Sequence, residues 1–431
     1  MQKPPILQVA LDFVDLHRAM KVAEEAVAGG ADWLEAGTPL IKSEGLNVVR
    51  RLREAFPSKT IVADMKTMDA GRAEMETASK AGANVAIVLG AASDSTIREC
   101  IEAGHNYGIE VGVDLICVSN FLERAMQVEK WGASHVGIHT AIDDQMKGIE
   151  PFDKLRKICS KVNIPVAVAG GINSETVVDA VNAGAQIIIV GGAITKAKEA
   201  RKATENIREA IKNRKKVPTE LFKRASKENV KNILEKVSTA NISDGSHRLF
   251  GITDLQPVFQ NIKIIGRAVT VRTYPGDWAK PVEAIDVAGE GDVIVIDAGG
   301  LGPAVWGELA TRSAIQRKLA GVVINGAIRD VTEIRRLKFP AFTKLIMPNA
   351  GEPKGFGEIN IPITISGVRI KHGDWIVGDD DGLMVVPEQN AEEMTNHAMD
   401  WLEKENRIRE EIQAGATSLG KVIDILKWEK K

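Results

Sequence analysis

Eight short apolar bursts punctuate the first half of the chain. They are ILQVALD at 6–12, DWLEAG at 32–37, TIVADMK at 60–66, NVAIVLG at 84–90, EVGVDLI at 110–116, HVGIHT at 135–140, IPVAVAGG at 164–171 and QIIIVGG at 186–192. Each is rich in Val and Ile, as parallel strands covered on both faces are. They recur at roughly 25 residues, the length of one β-loop-α-loop unit. Helical patterns lie between them. Val14, Leu16, Ala19, Met20, Ala23 and Val27 share one face, with Arg18, Lys21 and Glu24 on the other. AGGAD, KAGAN and NAGAQ precede bursts two, four and eight and mark helix ends, where Gly stops the helix. Eight such units predict a closed (β/α)8 TIM barrel rather than an open doubly wound sheet.

The pattern ends near Lys212. KNRKKVPTE at 212–220 is basic, polar and broken by Pro218, so it reads as a linker; its Lys/Arg run is a solvated helix end rather than an RNA-binding patch. Residues 221–240 read as one amphipathic helix, with Leu221, Val230, Ile233, Leu234 and Val237 on its apolar side. From 241 the texture changes. IIGRAVTVR at 264–272 alternates like a half-exposed strand. GDVIVIDAGG at 291–300 and GVVINGAIRD at 321–330 read as buried strands, GDWIVGDDDGLMVVP at 373–387 as a hairpin turning at DDDG, and about 390–412 as a long charged helix. The expected organisation is a barrel over 1–212, a linker and connecting helix over 213–239, and a mixed α/β domain over 240–431.

Composition supports two cores without changing this picture. A length of 431 residues exceeds one typical domain, and 44% of them are hydrophobic. Aromatic residues are only 4% while Gly numbers 39, a balance that suits α/β architecture. The net charge of −2 offers no bulk attraction to nucleic acid or membrane, so neither is an expected partner. Cys100, Cys117 and Cys159 are odd in number and share no CxxC spacing; no disulfide framework or zinc site is expected, and a reducing cytoplasm fits. MQKPPILQVALDF lacks the pattern of a secretory leader, and no apolar run is long enough to span a bilayer.

Ligands of a (β/α)8 barrel sit at the C-terminal ends of its strands, and here those ends are acidic. Burst one ends in Asp12, burst two carries Glu35, burst three Asp64 and Lys66, with Asp69 in the following loop. Burst five carries Asp114, and burst six ends in His139. Strict alternation puts Asp64 and Lys66 on one side of their strand, facing inward. Carboxylates on adjacent strands suit a hard cation such as Mg²⁺, which could hold both oxygens of an enediolate. Lys66 adds positive charge where an oxyanion develops, and His139 can move a proton. Leaving so many buried charges without function is costly. The last two strands end in AVAGGINSET and IVGGAITKA. Gly170, Gly171, Gly191 and Gly192 let backbone amides approach a ligand, and a helix expected from Ser174 presents its N-terminus, the position where barrels commonly bind phosphate.

In order along the chain, LQVALDF, LEAGTPLIKSEG, VADMKTMDAG, GIHTAIDDQ, VAVAGGI and VGGAIT resemble the 3-hexulose-6-phosphate synthases of the orotidine-monophosphate decarboxylase suprafamily, over about residues 5–212. Asp64, Lys66 and Asp69 meet that family's D-x-K-x-x-D motif. The resemblance implies Mg²⁺ on Glu35 and Asp64, with Lys66 and His139 assisting and Asp12 touching substrate. It also implies that Asp69 enters the neighbouring subunit's site in a barrel dimer. The implied reaction is aldol addition of formaldehyde to ribulose 5-phosphate, or its reverse. The related 3-keto-L-gulonate-6-phosphate decarboxylases carry an Arg after the last strand's Gly, where this chain has Gly192-Ala193-Ile194. They also carry His-Arg in place of His139-Thr140. Both departures favour the synthase over that alternative.

In the second half, two polar foci lie within 296–330: the loop Gly299–Gly307 running into a helix with Gly307, Glu308 and Leu309 near its start, and Arg329-Asp330 after an apolar strand. Asp330 suits a metal and Arg329 a carboxylate. With SDG at 243–245, GRAVTV at 266–271 and GDDDGLMVVP at 378–387, these segments resemble the family of 4-hydroxy-4-methyl-2-oxoglutarate aldolases and regulators of ribonuclease E activity, over about 240–415. In the aldolases this implies Mg²⁺ near Asp330, pyruvate carboxylate on Arg329, Glu308 acting through a metal-bound water, and the Gly307–Leu309 amides steadying an enolate. It also implies trimers or hexamers. The regulators share the fold without that chemistry. Two expectations therefore stand side by side: a fused second aldolase or lyase acting on a 2-oxoacid, or a regulatory or oligomer-building module.

Overall fold

The computed structural model describes residues 4–219, 221, 224–226, 228–415 and 417–423. It divides into two compact units, Met1–Lys223 with Glu403–Lys431, and Arg224–Leu402. The C-terminal helix Ala391–Gly415 thus begins in the second unit and ends in the first. No helix of the described residues is long and apolar enough to cross a membrane.

The first unit is a closed, all-parallel eight-stranded barrel. Its strands are β1 (Ile6–Leu11), β2 (Trp33–Ala36), β3 (Thr60–Thr67), β4 (Val85–Leu89), β5 (Glu110–Asp114), β6 (His135–His139), β7 (Val166–Ala169) and β8 (Ile187–Val190), and β1 pairs with β8. All eight apolar bursts became strands in sequence order. Alternation splits their side chains into two cores. Leu7, Val9 and Leu11 of β1, Leu34 of β2 and Ile61 and Ala63 of β3 pack outward under the helices. Val62, Val85 and Ile87 fill the interior with Trp33 against them. Each fully buried Leu or Ile contributes about 1.5–3 kcal/mol to these cores.

Three local expectations change. The helix expected from Ser174 begins at Val177. The Asn173 carboxamide oxygen accepts the Glu175 and Thr176 amides instead, at 2.8 and 3.0 Å. Strand β3 does not alternate strictly: its register with β4 shifts between Ala63 and Thr67, and Lys66 adopts φ 46°. Of the single helix expected over 221–240, positions 222, 223 and 227 lie outside the described residues. The remainder forms two short helices, Val230–Leu234 and Thr239–Gly245, because Ser238 caps the second with a reciprocal bond to Asn241.

The second unit is built on a mixed sheet. Its strands are β9 (Gln256–Pro257), β10 (Ile264–Arg272), β11 (Val293–Asp297), β12 (Gly321–Ile328), β13 (Ala341–Ile346), β14 (Glu358–Ile359), β15 (Ile363–Ile365), β16 (Val368–Ile370), β17 (Trp375–Asp379) and β18 (Gly382–Val386). The main sheet runs β18-β17-β10-β11-β12-β13-β9, with β14 also on β10, and β15-β16 forms a separate pair. Strands β10 to β13 are mutually parallel. Strand β10 is central and buried at seven of nine positions, so the alternation at 264–272 did not mean a half-exposed strand. Its side chains enter two cores, Val269 and Val271 with Ile285 in one and Ile264 and Ala268 with Phe342 in the other.

Candidate active site

Five strand ends bring the barrel's charged residues together. On β1 and β2 the register sets Ala10 beside Glu35, and Gln8 below donates to Glu35 Oε2 at 2.5 Å. On β3 the Thr38 hydroxyl donates to Asp64 Oδ2 at 2.7 Å. The bulge aims the Lys66 ammonium at Asp64 Oδ2, 2.7 Å away, and at Asp114 Oδ2 on β5, 3.3 Å away. Asp64 and Lys66 therefore meet because the strand breaks its register. His139 at the end of β6 sets Nδ1 3.0 Å from the same Asp114 oxygen, while Asp114 Oδ1 accepts the Ile116 amide at 2.9 Å. Asp64, Lys66, Asp114 and His139 thus form one connected chain. Asp114 is the link that sequence reasoning left without a role; its only signal was an acid at a strand's C-terminal end.

Asp12 sits at the mouth in a cradle of two glycines. A Cβ on Gly37 would lie 2.3 Å from Asp12 Oδ1, and one on Gly191 3.2 Å from Oδ2. Asp12 is open to the mouth, yet protein atoms crowd it. That crowding, then the Asp64 charge, raises its pKa against Lys66, His139 and Lys196. Burial, then Asp64 and Asp12, pushes Glu35 well above the ordinary carboxylate range. Burial would lower Lys66, but Asp64 and Asp114 outweigh it and keep the ammonium charged. Burial would raise Asp114, but the His139 hydrogen bond and the His139 and Lys66 charges bring it down.

The interior therefore holds more carboxylate than cation, and Glu35, Asp64 and Asp12 strain against one another. Below them the Gln8 Oε1 atom is buried without a hydrogen-bond partner. An oxygen-rich, over-acidic donor set fits a hard divalent cation. Among the described residues no three His, Cys, Asp or Glu side chains converge into a ready metal cage. A pair of carboxylates matches a cation that keeps much of its water and borrows ligands from substrate, as Mg²⁺ does.

The two glycine turns lie at the same end. Gly170 and Gly171 have φ 103° and 71°; a Cβ on Gly170 would collide with the Thr140 carbonyl at 2.6 Å. Gly191 and Gly192 lead into the one-turn helix Gly192–Thr195. Lys196, which sequence reasoning passed over, lays its ammonium 3.6 Å from where a Gly192 Cβ would stand. Asp69 is not in this cluster. It is exposed, accepts its neighbour Ala70's amide at 2.7 Å, and lines a surface depression with Arg72, Ser95 and Glu99. The buried His135 lies at the start of β6, edge-on to Trp33, and burial lowers its pKa to about 4. Burial also raises the Cys100 and Cys159 thiols, to about 12 and about 11, which disfavours their thiolates.

In the second unit, the helix Glu308–Gln316 starts where expected, with Gly307 as its cap. Asp330, at φ 58°, opens the helix Val331–Leu337. Its Oδ2 accepts the Glu308 amide at 3.1 Å and lies 3.5 Å from Arg329 Nε. A Cβ on Gly307 would meet that oxygen at 2.7 Å. Glu308 pairs with Arg312, and Leu309 is 77% exposed. Gly307, Glu308, Arg329 and Asp330 therefore share one corner. The Glu308 amide expected to steady an enolate is engaged by Asp330.

A closed parallel barrel with this polar chain at its strand ends defines a TIM-barrel enzyme, joined to a mixed-sheet α/β unit. Residues 5–207 match the family described as Orotidine 5'-phosphate decarboxylase / HUMPS family, and residues 239–385 match the RraA-like family, Aldolase/RraA. A 3-hexulose-6-phosphate synthase from Mycobacterium gastri is 40% identical over 205 residues, covering 48% of this chain and 99% of that protein. One from Methylomonas aminofaciens is 42% identical over 190 residues, covering 44% and 90%. The solved structure of the RNA-processing inhibitor RraA from Thermus thermophilis is similar at 28% identity, covering 35% of this chain and 92% of that one with a TM-score of 0.33. The chain belongs to the orotidine 5'-phosphate decarboxylase / HUMPS family through its barrel and carries an RraA-like domain after it. Its barrel is an enzyme of the lyase class.

Proposed function

We propose that the barrel interconverts ribulose 5-phosphate plus formaldehyde with D-arabino-hex-3-ulose 6-phosphate. The observation that carries this reading is the chain Asp64–Lys66–Asp114–His139 at the strand ends of a barrel 40% identical to a synthase of that name. In the synthetic direction, a proton leaves C1 of ribulose 5-phosphate and an enediolate forms. Its C1 bonds to the formaldehyde carbon, and the formaldehyde oxygen takes up a proton. His139 moves the proton, oriented through Nδ1 by Asp114. Lys66, kept charged by two carboxylates, stabilises the oxyanion. Asp12 contacts the sugar, and the amides around Gly170, Gly171, Gly191 and Gly192 take the phosphate. Glu35 and Asp64 would hold Mg²⁺, which supplies positive charge to the substrate oxygens when bound. Asp69, exposed and outside this cluster, serves the site of a second barrel in a dimer.

Purified full chain with Mg²⁺, ribulose 5-phosphate and formaldehyde should consume formaldehyde. No consumption by the wild type, or unchanged turnover in Asp64→Ala, would sink the proposal. The three free cysteines suit the reducing cytoplasm where we place the protein.

For the RraA-like unit we propose that Arg329 receives the carboxylate of a 2-oxoacid, supported by its place beside Asp330 and Glu308 at two helix starts. Asp330 would hold Mg²⁺ at this corner, with Glu308, whose amide it accepts, beside it. Pyruvate release from a 4-hydroxy-2-oxoacid tests the assignment, and release undiminished in Arg329→Ala removes it. Assembly into trimers or hexamers through this unit is a further part of the proposal, read by light scattering.

A further inference from the structure

One buried network in the first unit takes no part in the chemistry above. The loop Lys196–Glu199 follows the glycine turn of β8 and leads into the helix Ala200–Asn213. Its carbonyls are held by a residue from the far end of the sequence. Arg407, 4% exposed, donates Nη1 to Ala197 O at 2.9 Å and to Lys198 O at 2.7 Å. Its Nη2 reaches Glu25 Oε1 at 3.2 Å, and its Nε reaches Glu411 Oε1 at 3.0 Å. Glu25 in turn accepts the Ala200 amide through Oε2 at 3.0 Å, and Arg18 reaches Glu411 at 3.3 Å. Two arginines and two glutamates balance in charge, and every donor of the Arg407 fork has a named partner except one Nη2 hydrogen. A guanidinium so engaged fixes a loop geometrically rather than merely attracting it.

What the loop carries matters. Lys196 is the residue before the two held carbonyls, its ammonium beside Gly192, and its charge reaches Asp12 across the mouth. Gly191 also flanks Asp12. Arg407 lies 210 residues after Ala197 in sequence. The loop is thus anchored by a residue that follows the barrel strands by a long stretch of sequence.

We propose that Arg407 is a positioning residue of the barrel's sugar-phosphate site: by pinning Ala197 and Lys198 it sets the Lys196 ammonium and the Gly191–Gly192 turn against the phosphate. The proposal rests on the synthase reading for its substrate, though not for its geometry. The test uses the full chain with Mg²⁺ and compares wild type, Arg407→Met, Arg407→Lys and Arg409→Ala. Arg409 lies on the same helix and bonds its own neighbours Asn406 and Glu405. In Arg407→Met the KM for ribulose 5-phosphate should rise about tenfold while kcat and the KM for formaldehyde stay within about threefold, the pattern of lost uniform binding. Arg407→Lys, which keeps the charge without the fork, should fall between, and Arg409→Ala should match wild type. Binding of inorganic phosphate, followed by calorimetry, should weaken in parallel with the KM. If Arg407→Met does not fold, Glu25→Gln removes one arm of the clamp and should shift KM and phosphate binding in the same direction by a smaller factor. Unchanged KM and phosphate affinity alongside a lowered melting temperature would overturn the proposal, as would a fall in kcat at constant KM. If the wild type consumes no formaldehyde, the synthase reading fails by itself, and phosphate affinity still decides the role of Arg407.

Discussion

Asp114→Asn is the substitution that most sharply separates a working relay from a packed barrel mouth. The carboxylate does three things at once: Oδ1 accepts the Ile116 amide at 2.9 Å, and Oδ2 accepts His139 Nδ1 at 3.0 Å and Lys66 Nζ at 3.3 Å. Asn has the same shape but one acceptor. If its oxygen stays on Ile116, its NH2 faces two donors; if it turns to His139, the Ile116 amide is lost. The Lys66 contact is long for a charge-assisted bond, and Lys66 keeps Asp64 at 2.7 Å, so the His139 bond dominates the loss. A hydrogen bond to a charged group is worth about 1.5–3 kcal/mol, or about 10- to 150-fold in kcat/KM. Formaldehyde consumption at fixed ribulose 5-phosphate reads this directly, with circular dichroism confirming the fold. Because the group orients a proton carrier and does not grip the substrate, the loss should fall on kcat rather than KM. A folded Asp114→Asn enzyme within twofold of wild type would refute the reasoning.

Other consequences are as concrete. Mg²⁺ should raise the melting temperature of the wild type by mass action and leave that of Glu35→Gln unmoved; an equal rise in both removes Glu35 from the metal site. Gly37→Ala places a Cβ 2.3 Å from Asp12 Oδ1, so it should displace Asp12, raise KM for the sugar and cost about 1–3 kcal/mol of stability from overpacking; a wild-type KM would show that Asp12 does not touch substrate. Burial lowers the His135 pKa from 6.5 to about 4, so the unfolded chain binds a proton there that the native state refuses. This contribution is fully present above pH 6.5 and is lost as the pH falls toward 4, by about 3 kcal/mol. Urea unfolding at pH 7 and pH 4 should show a smaller pH difference in His135→Gln by that amount, and an unchanged difference would place the acid sensitivity elsewhere.

The barrel was legible because its strands are buried on both faces and so appear as uninterrupted Val- and Ile-rich bursts whose spacing counts the units. The acids at the strand ends were legible for the same reason: Glu35 and Asp64 are conspicuous where every neighbour is apolar. What joins them was harder to read. Asp64 meets Lys66 through a bulge, and no alternation rule announces a residue at φ 46°. Asp114 gains its role from reaching two other strands, which depends on barrel curvature rather than on its neighbours in sequence. Asn173 takes the amides that a helix start at Ser174 would have offered, a local competition in which a side chain imitates the backbone. The alternation of 264–272 suggested a half-exposed strand because Arg267 and Arg272 break the apolar run, while the strand itself is central. Arg407 lies 382 residues from its partner Glu25, a separation across which no periodicity carries information.

On the function proposed above, this barrel makes and breaks the bond between formaldehyde and C1 of ribulose 5-phosphate. ¹³C-formaldehyde incubated with ribulose 5-phosphate, Mg²⁺ and the full chain, followed by NMR, tests it most directly. The label should appear as the C1 hydroxymethyl carbon of a hex-3-ulose 6-phosphate, and Lys66→Met should abolish its appearance. Label remaining as formaldehyde hydrate with the folded wild type, or release of CO2 from a keto-sugar acid phosphate in its place, would contradict the account.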